Sequence, residues 1–269
     1  MNQTDKIIKS KRNTDIHATL VLSNDKTSKK GLIMVHGFKA DRTEGGRFIE
    51  LAHNLALKGI NCICMSFPGC GDSTEDFFNY TLDNCLYDID TCVNYMVENI
   101  GIDLKETGMV GYSMGGRLSC LYVKKHPEIK SVALWAAASY NSKPEESFQG
   151  SRFDEMIDEA KANGVCLRKN NFDNSTLNFS LDFLNNMLEL KPADAIRDYE
   201  GNVLIVHGDM DDIVPLDVAH NTYNSLTTPK HKQLEIIKGA NHGFGLWTDE
   251  MHQSQELVLK TTEYFLNKL

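Results

Sequence analysis

The stretch Val110-Gly111-Tyr112-Ser113-Met114-Gly115-Gly116 decides the fold of this chain. The residues before it, Glu106 to Val110, indicate a loop that enters a short buried strand, and helical periodicity follows it up to Pro127. A strand that passes into a helix within three residues needs a very tight turn at Ser113. Glycines on both sides of the serine remove side chains that would collide in that turn. The stretch therefore predicts a serine whose Oγ is exposed above a sheet, at a helix N-terminus where N–H groups can receive negative charge.

Buried strands alternate with amphipathic helices along most of the chain. Apolar-rich runs predict strands covered on both faces at 31–35, 60–67, 131–137, 202–207 and 233–237. The looser alternation of Ile16 to Leu22 predicts an outer strand. Besides the helix after Ser113, helices are predicted at about 46–58, 82–99 and 250–267. This order predicts one α/β domain with a mostly parallel central sheet, right-handed crossovers and flanking helices.

Residues 139–197 interrupt the alternation with polar, irregular sequence and two helical patterns, near 152–163 and 181–190. The segment begins directly after a predicted strand end, which is where open α/β sheets place their ligands. We therefore expect a small helical cap over the site at 139–197, inserted into a core formed by 1–138 and 198–269. The alternative is a surface excursion remote from the site.

Composition excludes several classes of protein. The net charge of −9 over 269 residues argues against a nucleic-acid partner, because phosphate binding needs a basic surface. The sequence has no apolar run long enough to cross a bilayer, and the polar, charged start argues against a signal peptide. The seven cysteines include no C-x-x-C pair, and Cys62 and Cys64 fit a strand core better than a metal site. We therefore expect a cytoplasmic protein.

A serine hydroxyl is a poor nucleophile at neutral pH, so Ser113 needs a base that takes its proton and an acid that orients this base. His242 lies in the loop past the last predicted strand, at the carboxyl end of that strand, and we predict it to be the base. The other histidines after Ser113 lie in helical patterns, at a helix end or in turns, and are predicted to have other roles: 126, 207, 220, 231 and 252.

The acid is expected in the loop His207 to Pro215, past the preceding strand, where three carboxylates compete. The pattern H-G-x-x-D-x-x-V-P has Asp211 in its acidic position, so we predict Asp211. Asp209 and Asp212 are then expected to shape the turn or to cap the next helix. A hydrated acidic loop and a calcium site are the alternatives for this cluster, but no D-x-[DN]-x-[DN]-G loop follows.

Acyl transfer also needs two donors for the oxyanion of its tetrahedral intermediate. The backbone N–H of Met114 follows Ser113 directly. The second donor should come from the loop after the strand that ends at Val35, where Phe38 follows His36-Gly37. We therefore predict that the backbone N–H groups of Phe38 and Met114 are the two oxyanion donors. This prediction rests on their positions in the chain alone.

With these residues assigned, the chain resembles the serine-hydrolase branch of the α/β-hydrolase superfamily along nearly its whole length. The similarity extends to bacterial cinnamoyl (feruloyl) esterases in four segments: His36-Gly37-Phe38 with its charged loop, Phe67-Pro68-Gly69-Cys70-Gly71-Asp72-Ser73, Gly111-Tyr112-Ser113-Met114-Gly115-Gly116 and Gly239-Ala240-Asn241-His242. Similar motifs occur in monoacylglycerol lipases, lysophospholipases and the serine aminopeptidase-like group. One departure is Met114, because cinnamoyl esterases often carry glutamine there.

The resemblance implies an α/β-hydrolase fold and a serine carboxylic-ester hydrolase that forms an acyl-enzyme. The implied substrates are small aromatic (hydroxycinnamoyl) or short-chain acyl esters, without a cofactor or metal, and a homodimer is left open. In the cap, Tyr140 and Phe148 are candidate stacking surfaces for an aromatic acyl group. Methionine at 114 weakens the hydroxycinnamate assignment, but it leaves the chemistry intact because only its N–H is needed.

Other functions fit the same residues less well. A monoacylglycerol lipase, lysophospholipase, aminopeptidase or thioesterase would keep the same three catalytic residues and change the substrate. A non-catalytic relative acting as a receptor or scaffold would commonly lack one of them. A nucleotide-binding module is rejected, because Gly69-x-Gly71 lacks the third glycine of the dinucleotide fingerprint and Gly111 to Arg117 lacks the Gly-Lys-Ser/Thr ending of a phosphate loop.

Overall fold

The central sheet confirms the predicted architecture. The computed structural model describes residues 2–141, 152–170, 175–248 and 250–269. Within these ranges the strands are β1 (Asn2–Lys9), β2 (Asp15–Leu22), β3 (Gly31–Val35), β4 (Asn61–Met65), β5 (Thr107–Tyr112), β6 (Ser131–Trp135), β7 (Cys166–Lys169), β8 (Thr176–Phe179), β9 (Asn202–Gly208) and β10 (His231–Ile237). Eight of these described strands form one sheet in the order β1-β2-β4-β3-β5-β6-β9-β10. All of its neighbouring pairs from β4 to β10 are parallel, and only the pairs made by β2 are antiparallel.

Helices cover both faces of the sheet. They are α1 (Arg47–Ala56), α2 (Leu82–Tyr95), α3 (Met114–Lys125), α4 (Phe153–Asn163), α5 (Leu181–Glu189), α6 (Pro192–Arg197), α7 (Leu216–Ser225) and α8 (Met251–Lys268). A π-helical turn at Met96–Ile100 prolongs α2, and 3₁₀ turns lie at Phe77–Asn79 and Leu104–Glu106. One hydrophobic cluster joins the sheet to α1 and α8, and the other joins it to α2, α3 and α7. No helix in the described ranges is both long and apolar enough to span a lipid bilayer.

The two faces explain why the strands have continuous apolar sequence. In β3, Leu32 and Met34 belong to the cluster under α1 and α8, whereas Ile33 and Val35 belong to the opposite cluster. Successive side chains of a strand point to opposite faces, so a sheet covered on both sides needs apolar residues at every position. Each such side chain contributes about 2 kcal/mol on burial.

Some element predictions were incomplete. The strand at Ile16 to Leu22 was predicted to be an outer strand, and as β2 it lies second from the edge, because β1, which was not predicted, pairs with its free side. The sequence of β1 is polar and, of its residues, Ile8 alone is buried, so it has no apolar pattern to detect. The hairpin of β7 and β8 was not predicted either. The last strand begins at His231, two residues earlier than expected.

Residues 139–197, which we call the insert, connect β6 to β9. Their described part contains α4, the β7–β8 hairpin, α5 and α6. The side chain of Arg117 in α3 holds this segment at both ends, because its guanidinium donates to four backbone carbonyl oxygens: Ala138, Tyr140, Met187 and Leu190. Phe148, a predicted stacking residue, lies outside the described residues. Tyr140 is half-buried, with the Arg117 guanidinium 5.8 Å from its ring centroid.

Candidate active site

Ser113 occupies a strained turn between β5 and α3. Its backbone has φ 52° and ψ −114°, in a region that side chains disfavour. A Cβ at Gly115 would collide with the backbone of Val35 and His36, and a Cβ at Gly111 would collide with the Gly115 carbonyl. The glycines are therefore needed for close approach of three backbone segments, which leaves Ser113 half-buried at the carboxyl edge of the sheet.

The structure brings Ser113, His242 and Asp211 into one hydrogen-bonded chain. His242 Nδ1 lies 2.7 Å from Asp211 Oδ2, and His242 Nε2 lies 2.9 Å from Ser113 Oγ. A carboxylate accepts only, so Nδ1 carries the proton and Nε2 is left to accept the hydroxyl proton of the serine. His242 is buried, so this geometry is held away from bulk water. The arrangement has the parts needed to activate a serine nucleophile.

Asp211 is the carboxylate that reaches His242. Its Oδ1 accepts the N–H groups of Ile213 and Val214, at 3.0 and 2.8 Å. Burial alone would raise the pKa of Asp211, but hydrogen bonds from His207 and His242 outweigh burial and hold the pKa well below its usual range. Asp209 and Asp212 are exposed, and Asp209 accepts the N–H of Gly239 instead.

His207 is a site residue that the sequence analysis missed. Its side chain is buried, and Nε2 lies 2.7 Å from the Val214 carbonyl oxygen and 3.2 Å from Asp211 Oδ2. Because a carbonyl only accepts, Nε2 carries the proton and this N–H also faces the carboxylate. The available signal was its place at the end of an otherwise apolar strand, where a polar side chain needs a buried partner.

The other four histidines after Ser113 take no part in this chain of hydrogen bonds. His220 and His252 are exposed on helices. His126 stacks on the ring of Tyr122, with a centroid distance of 4.2 Å. His231 is the first residue of β10, at the amino end of that strand.

The loop after β3 contains Phe38, one of the two predicted oxyanion donors, and a hydrogen bond from His36 orients the peptide that carries the Phe38 N–H. His36 Nε2 accepts the N–H of Phe67 at 3.1 Å, so its Nδ1 is the donor to the Gly37 carbonyl oxygen at 2.7 Å. Burial lowers the pKa of His36 to about 4, which keeps this tautomer neutral at neutral pH. The C=O and N–H of a trans peptide point in opposite directions, so the Phe38 N–H points away from His36. Met114 begins α3, where an N–H has no acceptor in its own helix.

The side chain of Phe38 packs against aromatic rings of the insert. The Phe38 ring is stacked on Phe179 of β8 at 6.2 Å and lies 6.3 Å from Phe183 of α5. On the core side it meets Phe77 and Tyr80 edge to face, at 5.7 and 5.6 Å. The loop of one proposed oxyanion donor is therefore packed directly against the segment predicted to be a cap.

Comparison with known proteins identifies the fold and several relatives. A family model described as the alpha/beta hydrolase fold matches residues 31–191. The AB hydrolase superfamily protein YisY of Bacillus subtilis is 26% identical over 271 residues, which cover 91% of this chain and 96% of that protein. Monoacylglycerol lipase abhd6-A of Xenopus laevis is 27% identical over 127 residues, which cover 45% of this chain and 34% of that protein.

Solved structures show the same fold over almost the whole chain. Est1E from Butyrivibrio proteoclasticus, in a structure with bound ferulic acid, superposes with a TM-score of 0.80 at 22% identity and covers 98% of each chain. The monoacylglycerol lipase of Paleococcus ferrophilus superposes with a TM-score of 0.73 at 16% identity and covers 94% of this chain and 99% of that one. At these identities the likeness establishes the fold.

Proposed function

The chain belongs to the α/β-hydrolase fold family, and from that membership we propose that it is a serine carboxylic-ester hydrolase working through an acyl-enzyme. The observation that supports this most directly is the contact of 2.9 Å between Ser113 Oγ and a histidine nitrogen whose partner nitrogen is held by Asp211. The buried setting of His242 and Asp211 also favours it, because a carboxylate stabilises an imidazolium more strongly away from water.

In the acylation step, Ser113 Oγ attacks the ester carbonyl carbon while His242 Nε2 takes the hydroxyl proton. The tetrahedral oxyanion accepts hydrogen bonds from the N–H groups of Phe38 and Met114. Asp211 stabilises the imidazolium that His242 becomes. The intermediate collapses by breaking the bond to the leaving alcohol, which receives the proton from His242, and the acyl group stays on Ser113.

Deacylation repeats the sequence with water. His242 Nε2 removes a proton from a water molecule, whose oxygen attacks the acyl carbon. A second oxyanion forms at the same donors and collapses to release the acid, and Ser113 regains its proton from His242. Neither step needs a cofactor or a metal.

We infer that the substrate is an ester of a small aromatic (hydroxycinnamoyl) or short-chain acid, and that the insert acts as a cap over it. Two observations support this inference. The rings of Phe38, Phe179 and Phe183 meet where the loop of the proposed oxyanion site contacts the insert. The fold is also similar to that of Est1E, in a structure that holds ferulic acid. All seven cysteines are buried free thiols, which is compatible with action in the cytoplasm.

A monoacylglycerol lipase is the second candidate. It is favoured by the sequence similarity to abhd6-A and by the fold shared with the Paleococcus ferrophilus enzyme. The mechanism would be unchanged, and only the acyl group and the alcohol would differ. A thioesterase or an aminopeptidase would likewise use the same three residues.

Initial rates on a substrate panel test these assignments. The panel contains p-nitrophenyl acetate, butyrate and decanoate, methyl ferulate, a monoacylglycerol and an aminoacyl anilide, each with wild-type protein and the Ser113→Ala variant. We expect hydrolysis of methyl ferulate or the short-chain esters, lost in the variant. Preference for the monoacylglycerol would assign the protein as a monoacylglycerol lipase. Preference for the anilide would assign it as an aminopeptidase and contradict the ester assignment.

A further inference from the structure

Glu44 and Arg47 form a buried ion pair that the proposed chemistry does not use. Glu44 lies in the loop between β3 and α1, and Arg47 is the first residue of α1. Their side chains are only 4% and 3% exposed, and Arg47 Nη2 lies 3.3 Å from Glu44 Oε1. Arg47 Nε also donates to the Glu44 carbonyl oxygen at 3.1 Å. Two ionisable side chains are therefore buried together next to the loop of the proposed oxyanion site.

The carboxylate of Glu44 holds the loop of the proposed oxyanion site. Its Oε2 accepts the N–H of Gly37 at 2.8 Å, one residue before Phe38. Gly37 in turn lies against Tyr112, since a Cβ at position 37 would come within 2.8 Å of the Tyr112 ring. The loop can therefore approach the residue that precedes Ser113, and Glu44 keeps it there.

The guanidinium of Arg47 holds the other two segments of the site. Its Nη1 donates to the Gly243 carbonyl oxygen at 2.9 Å, directly after His242. Its Cζ lies over the Tyr112 ring, 4.8 Å from the ring centroid. The Tyr112 hydroxyl then donates to the His242 carbonyl oxygen at 2.9 Å. The loop of His242 and the turn of Ser113 are thus joined through the guanidinium of Arg47 and the phenol of Tyr112.

We propose that Glu44 and Arg47 are positioning residues for hydrolysis, which fix the spacing between the loop of Phe38, the turn of Ser113 and the loop of His242. The proposal rests on the proposed function of that site. In this arrangement a displacement of either side chain changes the relative position of nucleophile, base and oxyanion donor together. Neither residue touches the substrate.

Stability alone does not account for this pair. Removing two charges from water is expensive, and well-packed apolar residues usually stabilise a protein as well as a buried ion pair does. Glu44 also has φ 51°, a left-handed conformation that is strained for a residue with a side chain. Strain and buried charge at the same position are expected where geometry, not stability, is required.

The pair also keeps the neighbourhood of the developing oxyanion electrically neutral. A lone carboxylate beside Gly37 would oppose negative charge at the Phe38 N–H, and Arg47 offsets that carboxylate. Burial raises the pKa of Glu44, Asp41 adds to the increase, and Arg47 opposes it. The buried phenols of Tyr80 and Tyr112 also face Glu44. As pH falls through this raised pKa, Glu44 takes up a proton and its pair with Arg47 weakens.

The test is a set of variants assayed for kcat, KM and the rate at which a fluorophosphonate labels Ser113. Glu44→Gln and Arg47→Met each leave one partner without its opposite charge, so we expect kcat and the labelling rate to fall about 10- to 100-fold, with KM changed less than about threefold. Arg47→Lys should restore part of kcat. The double variant Glu44→Gln/Arg47→Met should have a higher kcat than either single variant, yet a lower kcat than wild type. Its profile of kcat against pH should also lack the part of the acid limb that Glu44 contributes.

Glu235→Gln is the matched control, because Glu235 is paired with Lys260 between β10 and α8. It should keep wild-type kcat. Thermal unfolding is measured for every variant, and if Arg47→Met does not fold, Glu44→Gln carries the same test. A folded Glu44→Gln with kcat and labelling rate within about twofold of wild type would overturn the proposal. Absence of labelling and hydrolysis in wild type would overturn the proposed function itself.

Discussion

Two buried arginines hold two regions of this molecule, and they do so by different means. At the carboxyl edge of the sheet, which holds the proposed active site of Ser113, Asp211 and His242 and is here called the catalytic edge, Arg47 is paired with the carboxylate of Glu44. At the insert, Arg117 is fully buried and bound by four backbone carbonyl oxygens, and no carboxylate of the described residues lies within ion-pair distance of it. Burial lowers the pKa of Arg117.

We infer from this difference that the catalytic edge serves the proposed chemistry and that the insert serves substrate selection. A carboxylate partner fixes the identity of a side chain, so the catalytic edge depends on particular residues. Backbone carbonyls are supplied by any sequence, and two of those bound by Arg117 lie at the end of α5, where the helix dipole favours a cation. The insert can therefore change its side chains while its attachment persists. We expect changes at the catalytic edge to alter kcat, and changes at the insert to alter KM and selectivity.

The largest expected effect comes from Asp211→Asn. The amide no longer fixes the proton on His242 Nδ1, so Nε2 is not kept free to accept from Ser113, and kcat should fall about 10⁴-fold. The measurement is kcat on p-nitrophenyl butyrate beside that of Asp209→Asn, whose exposed carboxylate accepts the Gly239 N–H. Equal losses in both variants would contradict the assignment of Asp211.

A smaller effect is expected from Arg117→Met. Four carbonyl oxygens lose their donor, so the insert should be held less firmly, with KM raised about tenfold and kcat changed less than about threefold. Arg117→Lys keeps the charge and serves as the control, and thermal unfolding of both variants is followed. If kcat fell as steeply as in the Glu44 and Arg47 variants with KM unchanged, the two regions would not be separable.

Phe179→Leu should change selectivity without changing the chemistry. In the proposed function the ring of Phe179, which is stacked on Phe38, also supports the aromatic acyl group. An aromatic contact with that group is worth about 1 kcal/mol, so kcat/KM for methyl ferulate should fall about fivefold relative to p-nitrophenyl acetate. Leu167→Ala, at an exposed position of the same hairpin, is the control. An identical loss on both esters would mean that the ring supports the fold and not the acyl group.

The last expected effect concerns stability and not rate, as a pH dependence of the free energy of unfolding at the catalytic edge. The pKa of His36 is lowered by burial to about 4, so the unfolded chain binds the proton more readily. Its contribution to the free energy of unfolding is complete above about pH 6.5 and is lost as pH falls towards 4, at about 1.4 kcal/mol per unit at most. Urea unfolding at several pH values checks this, and His36→Asn should lack that part of the slope. An unchanged slope in the variant would refute it.

The core strands and the three candidate catalytic residues could be predicted from the sequence. The core strands were predictable because a sheet covered on both faces requires continuous apolar runs, as in Leu32 to Val35. Ser113, Asp211 and His242 were selected because each follows a strand at its carboxyl end, and the structure brings these three side chains together. The fold and the candidate triad therefore followed from local pattern and order along the chain.

What the sequence could not predict depends on tertiary packing. Glu44 and Arg47 lie in the charged segment Asp41-Arg42-Thr43-Glu44-Gly45-Gly46-Arg47, whose composition is typical of a solvated loop. Only the packing of this loop against Tyr112 and Gly243 shows that both side chains are buried. His207 was assigned to a turn because its burial, too, depends on tertiary packing that the sequence does not show. In the insert, short polar strands such as β7 have no hydrophobic period that distinguishes them from loop.

The most direct test of Ser113 as the nucleophile is mass spectrometry of the intact and digested protein after reaction with a fluorophosphonate. Ser113 lies within hydrogen-bond distance of His242, so we expect one adduct, on the peptide that contains Ser113, and none in the Ser113→Ala variant. We also expect labelling of His242→Ala to be slower by several orders of magnitude. An unlabelled Ser113 in wild-type protein, or an adduct that persists on another residue in the variant, would contradict the claim that this serine is the nucleophile.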